Sequence, residues 1–150
     1  MSNEKPPSGE EEFRRLAVEL RILESTAETI QARINMVNTV LTDLNYANMT
    51  LESIEKEEEN ADLLVPVGGG SYVKAKLQEK NTVLVGMGAG VTVEKTLAQA
   101  KETVQNRISQ LEKTRASLQQ QFTQIIERIR EDKARLEEIS AKLSQRRTPQ

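Results

Sequence analysis

From Phe13 onward, apolar residues recur at strictly alternating spacings of three and four: Phe13, Leu16, Leu20, Leu23, Ala27, Ile30, Ile34, Val37, Leu41 and Leu44. A narrow stripe with this period is the seam of a coiled coil, whereas a globular amphipathic helix shows a broader apolar face. The stripe continues through Ala47, Leu51 and Ile54 and dissolves in the charged run Glu55–Glu59. Ser8 and Glu11 stand three apart just ahead of it, as in a reciprocal capping box, and Asn60 suits a left-handed stop. A second stripe follows the Thr96/Gln99 cap pair: Leu97, Ala100, Val104, Ile108, Leu111, Leu118, Phe122, Ile125, Ile129, Leu136, Ile139 and Leu143. Arg115 and Asp132 occupy seam positions where an apolar residue is expected; polar residues there commonly cost stability and fix register.

Folding one stripe back on the other pairs Phe13 with Leu143, Leu16 with Ile139 and Leu20 with Leu136. It also pairs Ile34 with Phe122, Val37 with Leu118 and Leu44 with Leu111, so partner numbers add to about 156. The breaks in heptad spacing, between Leu44 and Ala47 and between Val104 and Ile108, fall at the same level. Opposed discontinuities are expected of helices that are partners. The expected fold is therefore mainly α: a long antiparallel two-helix coiled coil with a β insert. The expected organisation is a flexible tail over 1–12, helix over 13–60, hairpins over 61–95, helix over 96–145 and a tail over 146–150.

Residues 61–95 change character. Leu63 to Val67, a triple glycine at 68–70 and Ser71 to Leu77 read as one hairpin. Thr82 to Val85, the Gly86–Gly90 turn and Val91 to Glu94 read as a second. Pro66 cannot donate to a ladder, which marks an edge or an irregularity. Gly86-x-Gly88 resembles a dinucleotide loop only superficially, because the third glycine is misplaced and a strand, not a helix, follows. Two hairpins alone are marginal in water. Leu64, Val67, Val73, Leu84, Val85, Val91 and Val93 have no globular body to cover them, so the insert is expected to be the oligomer interface.

Composition narrows the chemistry. The chain has no Cys and no His, which removes thiol nucleophiles, imidazole bases and Cys/His zinc sites. Only 3 % of residues are aromatic, too few for the core of a typical enzyme of this length. Paired carboxylates such as Glu137-Glu138 fall on solvated helix positions. No catalytic residue, cofactor or metal is expected. Residues 13–59 carry 9 acidic and 5 basic residues, and residues 97–150 carry 7 acidic and 11 basic. The excess of +4 on the second segment against −4 on the first suits two helices that face each other, better than a nucleic-acid surface. The absence of an apolar run in the first dozen residues, and of any stretch of roughly 20 apolar residues, predicts a soluble cytoplasmic protein with no membrane contact.

Leu64-Val65-Pro66-Val67-Gly68-Gly69-Gly70-Ser71-Tyr72-Val73-Lys74-Ala75, with Val85-Gly86-Met87-Gly88-Ala89-Gly90-Val91-Thr92-Val93-Glu94-Lys95, resembles the linker of archaeal prefoldin alpha subunits. The resemblance covers about 85 % of the chain, the insert closely and the helices by length and pattern. It implies a hetero-hexamer of two alpha and four beta subunits whose hairpins form a β-barrel platform. It further implies an ATP-independent chaperone whose coiled-coil tips hold unfolded polypeptides and deliver them to a group II chaperonin. The tip residues would be Phe13, Leu16, Leu20, Leu136, Ile139 and Leu143. A coiled-coil spacer without holding activity is the alternative.

Overall fold

The computed structural model describes residues 8–147, except for the side chain of residue 147. Six elements follow in order: α1 (Gly9–Lys56), β1 (Asp62–Gly68), β2 (Ser71–Lys76), β3 (Thr82–Gly88), β4 (Val91–Thr96) and α2 (Leu97–Arg147). The expected mainly α fold with two inserted hairpins is the observed one.

Helix α1 begins at Gly9, so residues 9–12, expected in a tail, are its first turn. The cap explains the difference. Ser8 Oγ accepts from the Glu11 amide at 3.3 Å, and Ser8 O accepts from the Glu12 amide at 3.0 Å. Glu10, Glu11 and Glu12 then sit where the amino end of the helix dipole favours negative charge. Residues 1–7 of that expected tail lie outside the described residues. At the other terminus α2 runs through residues 146 and 147, also expected in a tail, while 148–150 lie outside the described residues.

The helix ends of the insert are closed by side chains. The backbone leaves helix at Lys56, earlier than the expected limit at residue 60. Asn60 adopts a φ of 64°, inside a turn closed by the Ala61 amide on Glu58 O at 3.2 Å. Lys80 Nζ donates to Glu57 O at 3.1 Å and Glu55 O at 3.4 Å, satisfying carbonyls that α1 leaves without intrahelical partners. Helix α2 opens on the reciprocal box: Gln99 N–H donates to Thr96 Oγ1 at 3.2 Å, and Thr96 N–H donates to Gln99 Oε1 at 3.1 Å.

The chain divides into two compact units, residues 1–37 with 114–150 and residues 38–113. In the first, Leu20, Ala27 and Ile129 are buried with Leu23, Phe122, Ile125, Ile126 and Leu136 packed against them. Ile30, Ile34 and Leu118 form a second cluster with Val37, Phe122 and Ile125. The register differs from the expected one by about one helical turn: Leu20 and Ala27 both join Ile129, which places Ile129 opposite Leu23, and a Cβ at Gly9 would lie 3.4 Å from Leu143, so facing numbers add to about 152 and not 156. In the second unit Leu41, Leu51, Leu97, Ala100, Val104 and Ile108 are buried, Ala100 completely. Every one of these is a seam position of the sequence pattern.

Both hairpins are separate two-stranded antiparallel sheets. In the first, Leu63 faces Ala75, Leu64 faces Lys74, Val65 faces Val73 and Pro66 faces Tyr72. In the second, Val83 faces Lys95, Leu84 faces Glu94, Val85 faces Val93 and Gly86 faces Thr92. The second register is the first shifted by 20 residues throughout, down to a bulge between Pro66 and Gly68 in one and Gly86 and Gly88 in the other. The turns repeat too: φ is 101°, 58° and 75° at Gly68–Gly70, and 97°, 51° and 76° at Gly88, Ala89 and Gly90.

Ile34→Ala and Leu118→Ala each delete a buried side chain of one cluster and should cost roughly 2–5 kcal/mol in denaturant unfolding. Glu28→Ala, on the exposed face, should stay within about 0.5 kcal/mol. Equal losses at all three positions would refute the seam.

Candidate functional surfaces

Charge and apolar surface are the two resources this architecture offers. Ion pairs flank the seam on both sides. Glu19 and Arg128 meet at 2.7 Å, Glu12 and Arg135 at 3.1 Å, Glu24 and Lys133 at 3.3 Å, and Glu55 and Lys101 at 2.6 Å. Each takes its carboxylate from α1 and its cation from α2, which is where the opposite charge excesses of the two segments go. The Lys101 ammonium, hydrogen-bonded to Glu55, holds that carboxyl below its usual value of 4.5, and Glu55 in turn raises Lys101. Glu138 is likewise lowered, first by its hydrogen bond to Arg135 and then by the charge of Lys142.

The six side chains expected at the arm end divide into two sets. Leu16, Leu20 and Ile139 are buried in the seam. Phe13 is 37 % exposed, and Leu136 and Leu143 are half-buried. Phe13 and Leu143 line an open cleft with Glu10, Arg14, Ser140 and Ser144. Phe13 and Leu136 line a second shallow groove with Glu137, Ser140, Ala141 and Ser144. The described ends of α1 and α2 therefore present an amphipathic surface, apolar at the base and charged at the rim.

In the insert, Leu64, Val67, Val73, Leu84, Val91 and Val93 are exposed, with Leu64 at 66 % and Leu84 at 72 %. Tyr72 and Met87 add to this surface. Val85 departs from the expectation that all seven strand residues lack internal cover: it is 8 % exposed. The cause is that the second hairpin is tied to α2. Arg107 Nη2 donates to Gly86 O at 2.8 Å and contacts Met87 Sδ at 3.7 Å, while Lys95 Nζ donates to Thr103 Oγ1 at 3.0 Å. Lys95 shares the Val85 face of its hairpin, because directly opposed residues and alternate positions project to one side. Sequence patterning missed Arg107 and Lys80. Both bond backbone carbonyls, which leave no trace in side-chain periodicity.

Gly86-x-Gly88 lies in a β3–β4 hairpin, and the βαβ return that a dinucleotide loop requires is absent among the described residues. No described helix is long and apolar enough to cross a membrane.

A family profile described as prefoldin subunit matches residues 23–144. The chain belongs to the prefoldin family. Among curated relatives, the prefoldin subunit alpha of Methanopyrus kandleri is 33 % identical over 113 residues, spanning 75 % of this chain and 72 % of that one. The prefoldin subunit alpha of Pyrococcus horikoshii is 28 % identical over 134 residues, 89 % and 90 % of the two chains. A solved structure described as filamentous PFD from Methanocaldococcus jannaschii superposes with a TM-score of 0.66. It covers 77 % of this chain and 95 % of that one at 24 % identity, a likeness of fold. The prefoldin assignment places the chain in a chaperone family, and its match takes in α1 from residue 23, the whole insert and α2 up to residue 144.

Two outcomes follow for the variants. Val85→Asp should destabilise the chain itself, because it buries an unpaired carboxylate, whereas Leu84→Asp should leave helical circular dichroism intact and weaken association measured by sedimentation. Loss of fold in both, or in neither, would contradict the distinction between a seated and an open strand face. The ion pairs give a pH dependence. Because Glu55 and Glu138 have folded-state values below their unfolded ones, their contribution is present above about pH 4.5 and is lost as pH falls through the lower folded value. Glu55→Gln should therefore flatten the fall in thermal stability between about pH 5 and 3; an unchanged slope would remove the pair from the acid response.

Proposed function

We propose that this chain is an ATP-independent holding subunit of a prefoldin-type chaperone, binding non-native polypeptide at the free ends of its helices. Family membership carries the reading, and the apolar surface at the chain ends supports it. In this reading the hairpins join those of related beta subunits in a β-barrel platform, two alpha with four beta. The assembly works in the cytoplasm and passes its clients to a group II chaperonin. The open strand faces of the insert favour such a partner, since uncovered apolar area of this kind marks association surfaces.

Phe13, Leu136 and Leu143 are the first contacts available to a client. Leu16, Leu20 and Ile139 join them when the last heptad opens, which terminal segments do at low free-energy cost. Each large apolar side chain is worth roughly 1.5–3 kcal/mol when fully buried, so a few partial burials give weak binding at one arm. Several arms on one platform raise the affinity through effective concentration. Specificity for one client sequence is not built by such contacts, which suits a holder of many chains.

Phe13→Ser combined with Leu143→Ser should leave the mass of the complex with its partner subunits unchanged and reduce suppression of aggregation of a denatured test protein several-fold. A spacer without holding activity would suppress no aggregation in either form. Undiminished protection by the double variant would move client binding away from the chain ends.

A further inference from the structure

The seam contains one residue that packing alone does not explain. Among the described residues the buried charged side chain is Asp132, 6 % exposed. Its Oδ2 is buried without a hydrogen-bond partner. Its Oδ1 lies 3.5 Å from Arg128 Nε, but that guanidinium is more than half exposed and gives its shorter bond, 2.7 Å, to Glu19. The carboxylate thus has half a share in one cation and nothing on its second oxygen. A buried charge so poorly partnered carries a large desolvation cost.

The position of this cost along the arm gives it meaning. In the observed register, with facing numbers adding to about 152, Asp132 stands at the level of Leu20. Toward the helix ends lie the levels of Leu16 with Leu136, Phe13 with Ile139, and Gly9 with Leu143. On its other side follow Leu23 with Ile129, and then the cluster of Ile30, Ile34 and Leu118. The weak level therefore holds Leu20 itself and separates the other five proposed client-binding side chains from the well-packed remainder of this unit. An opening that stops short of Asp132 leaves the carboxylate buried. One that includes it rehydrates both oxygens and recovers the desolvation cost.

We propose that Asp132 sets the depth to which the coil end opens, so that residues 9–20 and 132–147 separate as one cooperative segment and expose Leu16, Leu20 and Ile139 together with Phe13, Leu136 and Leu143. The opening segment is a property of this chain, and its use in client capture rests on the holding function proposed above. Glu12–Arg135, Glu19–Arg128 and Glu24–Lys133 flank the segment and guide it back into register on closing. These pairs are partly exposed and contribute little to its closed-state stability.

Amide hydrogen exchange on the assembled full-length protein tests this directly. Asp132→Leu should slow exchange about tenfold or more at residues 16–20 and 132–139, with little change at 27–37 and 114–125. Suppression of aggregation should weaken in parallel while the mass of the assembly stays constant. Asp132→Asn, which removes the charge and keeps the shape, should shift exchange in the same direction by less, and it serves should leucine alter the register. Unchanged exchange in both variants, or equal slowing along the whole unit, would overturn the proposal. Selective slowing with undiminished protection of the test protein would overturn the link to client capture. Failure of the unmodified assembly to protect any test protein would instead defeat the holding function, with the exchange data still deciding whether Asp132 limits the opening.

Discussion

The antiparallel seam is the constraint on which everything else in this chain depends. A two-helix coil has no second layer behind it, so each apolar side chain finds its cover only in the facing helix. A shift of one residue would turn the stripe into solvent along its length. Partner numbers adding to about 152 therefore fix more than the pairing of Leu23 with Ile129 or Ile34 with Leu118. They bring Glu12 and Glu19 to Arg135 and Arg128 on one flank, and Glu24 to Lys133 on the other. Opposed charges across the flanks add little stability at exposed sites, yet they penalise registers that would juxtapose like charges. Register is thus selected by apolar burial and proofread by charge.

Most of the architecture was legible because coiled-coil periodicity is a one-dimensional signal. Seam positions, both cap pairs, the left-handed Asn60 and the two hairpins all depend on residue types at fixed local spacing, and each appears in the structure. The helix termini were less legible. Residues 9–12 carry no seam residue, so periodicity alone placed them in a tail, although the Ser8 cap already specified a helical turn there. The seat of the second hairpin was not legible at all. Arg107 reaches a carbonyl 21 residues away, and nothing in the alternation of β3 distinguishes Val85, which is buried, from Val65, which is exposed at the equivalent position.

That comparison shows how duplication and asymmetry coexist in the insert. The two hairpins share register, bulge and turn conformation at an offset of 20 residues, so their backbones answer one local code. Ala89 stands where the first turn has Gly69, and it accepts a positive φ of 51°, a strain that Ala tolerates less well than Gly. The turn that contains Ala89 belongs to the hairpin that Arg107 and Lys95 hold against α2. The first hairpin leaves Val65 and Val73 open on one side and Leu64 and Tyr72 on the other. A two-stranded sheet with both faces open cannot be stable by its own burial. Its open edges and faces are what the proposed platform with related subunits would complete.

The same reasoning applies to the helical end, with the opposite result. The open strand faces are not covered by any of the described residues. The coil end can cover itself, and does so by burying Leu16, Leu20 and Ile139. What it places next to those residues is a carboxylate with an unpartnered oxygen, where a leucine would make the closed form more stable. Among the described residues the other buried positions of the coil carry apolar side chains, so the sequence has the means to close this segment firmly. On the proposal made above, the Asp132 carboxylate lowers the cost of opening the segment, and apolar surface that is covered at rest but reachable at small cost is what transient contact with non-native chains requires.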